Sequence, residues 1–185
     1  MRKIILLTAS LCLFTSVVLA QQVQFGLKAG ANLSALKTGD QLSDHRTGYY
    51  AGAFSHLHLN RHFALQPEVM YSSQGAEYSS TSKRKLNYIN VPVLGQYMFG
   101  NGLRLQTGPQ VGFLTSAKQE SGSEEATIKT SMKSTDFSWS FGAGYLSPVR
   151  LGIDVRYNLG LNDISKNNTD MKNRGWQLGL FYQFR

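Results

Sequence analysis

Cysteine is almost missing from the 185-residue chain, and its one example, Cys12, lies in a segment built to be removed. "MRKIILLTASLCLFTSVVLAQQ" puts Arg2 and Lys3 ahead of an apolar run from Ile4 to Leu19, with Val18-Leu19-Ala20 where a signal peptidase would cut. The run is shorter than the about 20 residues of a membrane helix, and Leu11 before Cys12 does not suit a lipoprotein signal. We expect a signal peptide over residues 1–20, cleaved after Ala20, and one domain over 21–185. The mature chain then has no cysteine, which excludes disulfide staples in the oxidising space beyond the inner membrane.

Other absences narrow the function. Charged residues make up 16% of the chain, and losing Arg2 and Lys3 lowers the formal charge from +8 to +6. The surplus is scattered among loop lysines and arginines, so nucleic acid is not an expected partner. After the signal no run is long and apolar enough for a membrane helix, and helical periodicity is nearly absent. No Gly-x-Ser-x-Gly elbow, phosphate loop or metalloprotease helix is present, and no nucleophile, base and orienting group can be picked out. We expect no enzyme, no catalytic residue, no cofactor and no bound metal.

What is present is alternation. "VRLGIDVRYNLGL" (149–161) sets Val149, Leu151, Ile153, Val155, Tyr157, Leu159 and Leu161 against Arg150, Gly152, Asp154, Arg156, Asn158 and Gly160. That period of two marks a strand with one oily and one polar face. Seven further stretches behave alike: 23–33, 49–59, 62–73, 87–99, 103–114, 135–145 and 174–185. Most exceed the about nine to eleven residues that carry a tilted strand across a bilayer. The connections alternate strictly between tight turns, such as "GNG" at Gly100–Gly102, and long polar segments, which we expect to be four mobile external loops. Outer-membrane barrels combine short periplasmic turns with long external loops in this way.

The faces decide the orientation. Aromatic residues of the oily face gather at strand ends, with Tyr49, Tyr71, Phe113, Phe137, Trp139, Tyr157 and Trp176 toward one edge. Phe25, Phe63, Tyr97, Phe99, Tyr145, Tyr182 and Phe184 lie toward the other. Two such belts are the interfacial girdles of a membrane barrel. The polar face carries many glycines with Lys28, Glu68, Arg104, Asp136, Arg150, Asp154 and Arg156. Turned toward lipid, an arginine at mid-depth costs about 2–4 kcal/mol; inside a narrow barrel, glycines make room and opposite charges pair. The expected fold is therefore all-β, an eight-stranded antiparallel up-and-down transmembrane β-barrel in the outer membrane, monomeric, with its oily face against lipid. Its rival is a soluble secreted calyx around an apolar ligand. Pro67, Pro92 and Pro109 fall within strands, where we expect bulges or strand ends.

Five motifs in order, "LQPEVMYSSQGAE" (65–77), "YINVPVLGQYMFG" (88–100), "LQTGPQVGFL" (105–114), "TDFSWSFGAGY" (135–145) and "RYNLGLNDIS" (156–165), resemble the PorT-like outer-membrane β-barrel family of Bacteroidetes. The resemblance covers essentially the whole mature chain and implies an eight-stranded outer-membrane barrel. The founding member's tie to protein secretion and gliding transfers to no residue here.

Some residues are candidates for chemistry. His56 and His58 share the inward face of the second strand, with His62 beyond the turn; two imidazoles are metal-ligand candidates, but no cysteine or clear third ligand joins them, so we expect lumen or rim residues. Glu68, Asp154, Arg104 and Arg156 are expected to pair as a structural plug rather than a solute path. Lys83-Arg84-Lys85 and Glu124-Glu125 are expected in external loops as solvated charge, with anionic lipid headgroups or surface polymers as the alternative for the basic run. The external loops as a whole are the candidate contact for a protein partner. The expected role is structural or interactive through those loops, with a secretion or transport accessory, or a narrow pore, as alternatives. Intact mass measurement of the purified protein is expected to match a chain beginning at Gln21; a mass retaining residues 1–20 would remove the signal assignment.

Overall fold

A computed structural model of the chain describes residues 23–38, 41–79, 82–121, 124–166 and 171–184. The expected signal segment and its cleavage point lie outside these residues. The strands are β1 (Val23–Thr38), β2 (Gln41–Leu42), β3 (Asp44–His58), β4 (Phe63–Ser79), β5 (Ser82–Met98), β6 (Leu103–Ser121), β7 (Glu124–Thr127), β8 (Thr135–Leu146), β9 (Leu151–Gly160) and β10 (Met171–Gln183). Eight of them form the wall, each antiparallel to its sequence neighbour, while β2 and β7 are short additions on β1 and β6. The last strand pairs with the first from Gly26↔Gln183 to Thr38↔Met171, which closes the cylinder.

The oily face is outside. Leu151, Ile153 and Val155 are exposed at 49%, 48% and 41%, while Gly152, Asp154 and Arg156 between them are buried. The calyx reading is overturned by this arrangement, because its apolar side chains would line the interior. Both aromatic belts form. Tyr157 lies 4.9 Å from Trp176 at the external edge, and Phe63, Tyr97 and Phe99 pack edge to face at the other. Trp139 keeps its indole N–H satisfied by donating to Thr107 Oγ1 at 2.8 Å.

Glycines on the inward face admit rings. A Cβ at Gly152 would lie 2.1 Å from Phe181 Cζ, and one at Gly179 would lie 2.0 Å from Tyr50 Oη. Three tight turns join strands at the end where β1 begins and β10 ends. Asn60 Oδ1 accepts from the backbone N–H of His62 and Phe63, Gly102 turns with φ of 93°, and Arg150 adopts φ of 68°.

Two expectations are corrected. The prolines do not sit at bulges or strand ends: Pro67 stays paired with Val93, Pro92 with Gln110 and Pro109 with Trp139, in unshifted register. A proline lacks one N–H. Accordingly Gln66 and Pro67 of β4 are skipped in the ladder to β3, Val91 and Pro92 of β5 in the ladder to β4, and Gly108 and Pro109 of β6 in the ladder to β5, always on the side of the preceding strand. The register instead shifts at His45/Tyr50, Glu77/Ser79 and Asn87/Tyr88.

Nor are the long connections simply mobile loops. β1, β3, β4, β5 and β6 run past the external girdle, and inward side chains of β1, β4, β5 and β6 turn apolar there. Leu36, Ala76, Leu86, Tyr88, Leu114, Ala117 and Met171 pack with Met132 and Ile164, two residues from the connecting segments, into a buried cap. An isolated bridge pairs Met132 with Ser165, and Ile164 N–H donates to Met171 O at 2.9 Å. Asp163 anchors this closure, accepting from the N–H of Ser165 at 2.9 Å and of Met171 at 3.0 Å and pairing with Lys133 at 3.2 Å. Slight burial raises its pKa, but those three bonds outweigh it and hold the carboxyl below its ordinary value.

Ile164→Ala is expected to destabilise the folded barrel by about 2–5 kcal/mol through the cavity it leaves, and Ile153→Arg by about 2–4 kcal/mol through lipid exposure. Denaturant unfolding in lipid vesicles measures both; wild-type stability in Ile153→Arg would contradict the assigned orientation.

Candidate functional site: a sealed lumen beneath an external platform

Because inward positions alternate along every strand, residues far apart in sequence meet in the lumen. At mid-depth Lys28 from β1 lies 2.6 Å from Asp154 of β9 and 3.3 Å from Glu68 of β4. Arg156 grips Glu68 with both guanidinium ends, Nη1 to Oε2 at 2.9 Å and Nη2 to Oε1 at 2.8 Å. Gln66 donates to Glu68 Oε1 at 2.7 Å and Gln106 to Asp154 Oδ2 at 3.1 Å. All four charged side chains are at most 4% exposed. Two cations against two carboxylates leave the cluster neutral, as burial demands.

The expected set is changed in one member. Lys28 joins Glu68, Asp154 and Arg156, whereas Arg104 lies below them with its guanidinium 5.3 Å from the centre of the Phe181 ring. The sequence did place Lys28 on the inward face; what it lacked was the strand register that sets its depth.

Toward the periplasmic end His56 and His58 meet edge to face, ring centres 4.5 Å apart, and His56 Nδ1 contacts Gln66 Oε1 at 3.2 Å. His62 instead stacks outside the lumen on Tyr97, so the three imidazoles do not converge. Among the described residues no group of three or more His, Cys, Asp and Glu is placed to hold a metal ion. The space bounded by Lys28, Arg104, Asp154 and Phe181 is too small for a water molecule. With the ion cluster at its centre and the apolar cap above, the lumen is blocked at several depths.

Outside the bilayer the extended strands make a folded platform. Lys83 and Lys85 belong to β5 rather than to a loop, and they pair across the sheet with Glu77, at 3.0 Å, and with Glu120. Arg84 turns toward Gln119 and Met171. Glu124 and Glu125 fall in β7 rather than in a loop. Lys129, Lys133 and Lys166 rise from the segments around the cap, where Lys129 Nζ donates to Thr115 O and Lys166 Nζ to Thr130 O.

A closed cylinder with a greasy belt, a polar filling and a platform on one side is an outer-membrane architecture, and a family model decides the matter. The model described as outer membrane protein beta-barrel domain matches residues 19–166. The chain belongs to that family. It is an integral protein of the outer membrane, seated in lipid. Among solved structures it resembles Ail, the attachment invasion locus protein of Yersinia pestis, at 20% identity and a TM-score of 0.56, over 87% of this chain and 98% of that one. Ail in complex with the heparin analogue sucrose octasulfate matches at 19% identity and a TM-score of 0.55, over 88% and 99%. Neisserial surface protein A matches at 13% identity and a TM-score of 0.64, over 86% and 97%. At these identities the likeness concerns the fold. No curated protein matches the chain.

Glu68→Gln leaves Arg156 and Lys28 underpaired, and we expect a loss of about 3–5 kcal/mol in folding stability. A parallel ion-conductance measurement is expected to show no new channel; wild-type stability in the variant would remove the cluster as the element that fills the barrel.

Proposed function

We propose that this outer-membrane barrel is non-enzymatic and non-conducting and acts by presenting its external platform to a partner. The observation that carries the reading is the contrast between the two ends of the lumen axis. The middle of the interior is occupied by a neutral cluster of paired charges and by rings, whereas the strands continue beyond the girdle into a folded surface with exposed lysines. A pore would need a continuous wet path, and the space among Lys28, Arg104, Asp154 and Phe181, too small for a water, favours a plug. Ail, with the same fold, has been crystallised with a sulfated heparin analogue. A partner carrying anionic groups suits the lysines on this platform. The circular pairing of β1 with β10 supports a barrel complete in one chain. We also keep the PorT-like grouping on its five motifs, and with it an accessory role in secretion as the second reading.

Planar bilayers containing the protein are expected to show no discrete conductance steps. Amine-directed cross-linking on intact cells is expected to yield a defined adduct, lost when residues 119–126 are replaced by a short Gly-Ser turn in a barrel that still shifts on heating in a denaturing gel. Regular conductance steps would replace this reading with the pore; an adduct unchanged by the replacement would exclude the platform.

A further inference from the structure

Between the mid-depth ion cluster and the apolar cap lies a polar chamber that the plug does not require. It is a cavity of about 20 Å³ whose lining includes Asn32, Gln110, Asp136, Ser138 and Asn173. A water-sized occupant needs roughly 10–15 Å³, so the chamber has room for one.

Two side-chain oxygens in it are unsatisfied. Asp136, 5% exposed, accepts a long hydrogen bond at 3.4 Å from Asn173 Nδ2 to its Oδ2, and its buried Oδ1 has no partner. Asn32, 2% exposed, donates through Nδ2 to Tyr49 O, Ser72 Oγ and Ser73 O, while its buried Oδ1 accepts nothing. Among the described residues no lysine or arginine nitrogen comes within 4.0 Å of the Asp136 carboxylate. Glu68, equally buried in the same lumen, holds two cations and a glutamine. An ionised carboxylate sealed away without a counter-charge is a costly arrangement, and so is an amide oxygen without a donor.

We infer that the chamber binds one small, hard monovalent cation, sodium or potassium, held by Asp136 and by neutral oxygens of the lining. The donor chemistry fits. Hard cations take oxygen ligands, and the lining offers carboxylate, amide and hydroxyl oxygens with no histidine or cysteine among them. Gln110 spends its Nε2 on Ser138 Oγ at 3.0 Å, which leaves its carboxamide oxygen for a cation. With one carboxylate in a lining that Arg174 also shares, a monovalent ion leaves less net charge buried beside the cap than a divalent one. The rival occupant is internal: Arg174 shares the lining, and its buried Nε is also without a partner. An arginine swung onto Asp136 would do the same electrostatic work without any ion.

The test uses the full mature barrel in detergent micelles, followed through its heat-induced gel shift in sodium, potassium, choline or calcium chloride at equal ionic strength. Sodium or potassium is expected to raise the apparent Tm by roughly 2–4 °C over choline through preferential binding to the folded state. Asp136→Asn is expected to abolish that difference and Arg174→Gln to keep it. Equal Tm values in sodium, potassium and choline overturn the inference, as does a gain confined to calcium. Loss of the difference in Arg174→Gln would do the same. A second measurement needs no variant: ²³Na relaxation is expected to broaden on adding the wild-type barrel and to narrow again on titrating potassium. Broadening no greater than that from detergent alone sinks the site.

Discussion

Hydrocarbon offers no hydrogen bonds, and every other feature of this barrel answers to that constraint. A strand in lipid must satisfy its backbone on both sides, so the sheet has no permissible edge until β10 meets β1. Once the wall is closed, its small diameter brings inward side chains from opposite strands into contact. A cylinder of eight strands has space to be filled but little to spare. Glycine at 152 and 179 admits Phe181 and Tyr50, and the charges left inside must cancel locally. The Lys28, Glu68, Arg156 and Asp154 cluster is the electrostatic form of the same closure.

Polarity also changes along the axis. Between the girdles the outside is greasy and the inside polar. Beyond the external girdle water bathes the outer surface, and the inward positions of the same strands, Leu36, Ala76 and Leu86, carry the apolar cap. The parity of each strand barely changes; the solvent around it does. One staggered wall thus encloses two interiors of opposite character, with a polar chamber at their boundary.

How much of this was legible depended on period. A strict alternation such as Leu151 to Leu161 identifies both faces by itself, and the two buried arginines exclude the inverse arrangement. Depth within the lumen needs the register between strands, which no single strand encodes, and Arg104 was accordingly expected where Lys28 sits. The external extensions look like loops in the sequence because their inward positions are sparse and small, as at Ala76 and Ala117. At Thr115 an extra residue also breaks the count: Tyr88 pairs with Leu114 but Asn87 with Ser116. Met132 and Ile164 carry no periodic signal at all, and only the closed wall brings them together. A proline within a strand suggests a bulge or a strand end, yet at Pro67, Pro92 and Pro109 the missing N–H faces one neighbour only and the ladder on the other side holds.

The apolar cap has a consequence for how the molecule is made. Its parts come from strand tips and connecting segments that must all traverse the bilayer before they can meet, so it can form only on the far side. Once packed, with Lys83 and Lys85 tied to their glutamates around it, it is surrounded by charge that hydrocarbon would not accept. The cap therefore has the geometry of a rivet head: packed on the watery side, it opposes withdrawal of the strands through the bilayer.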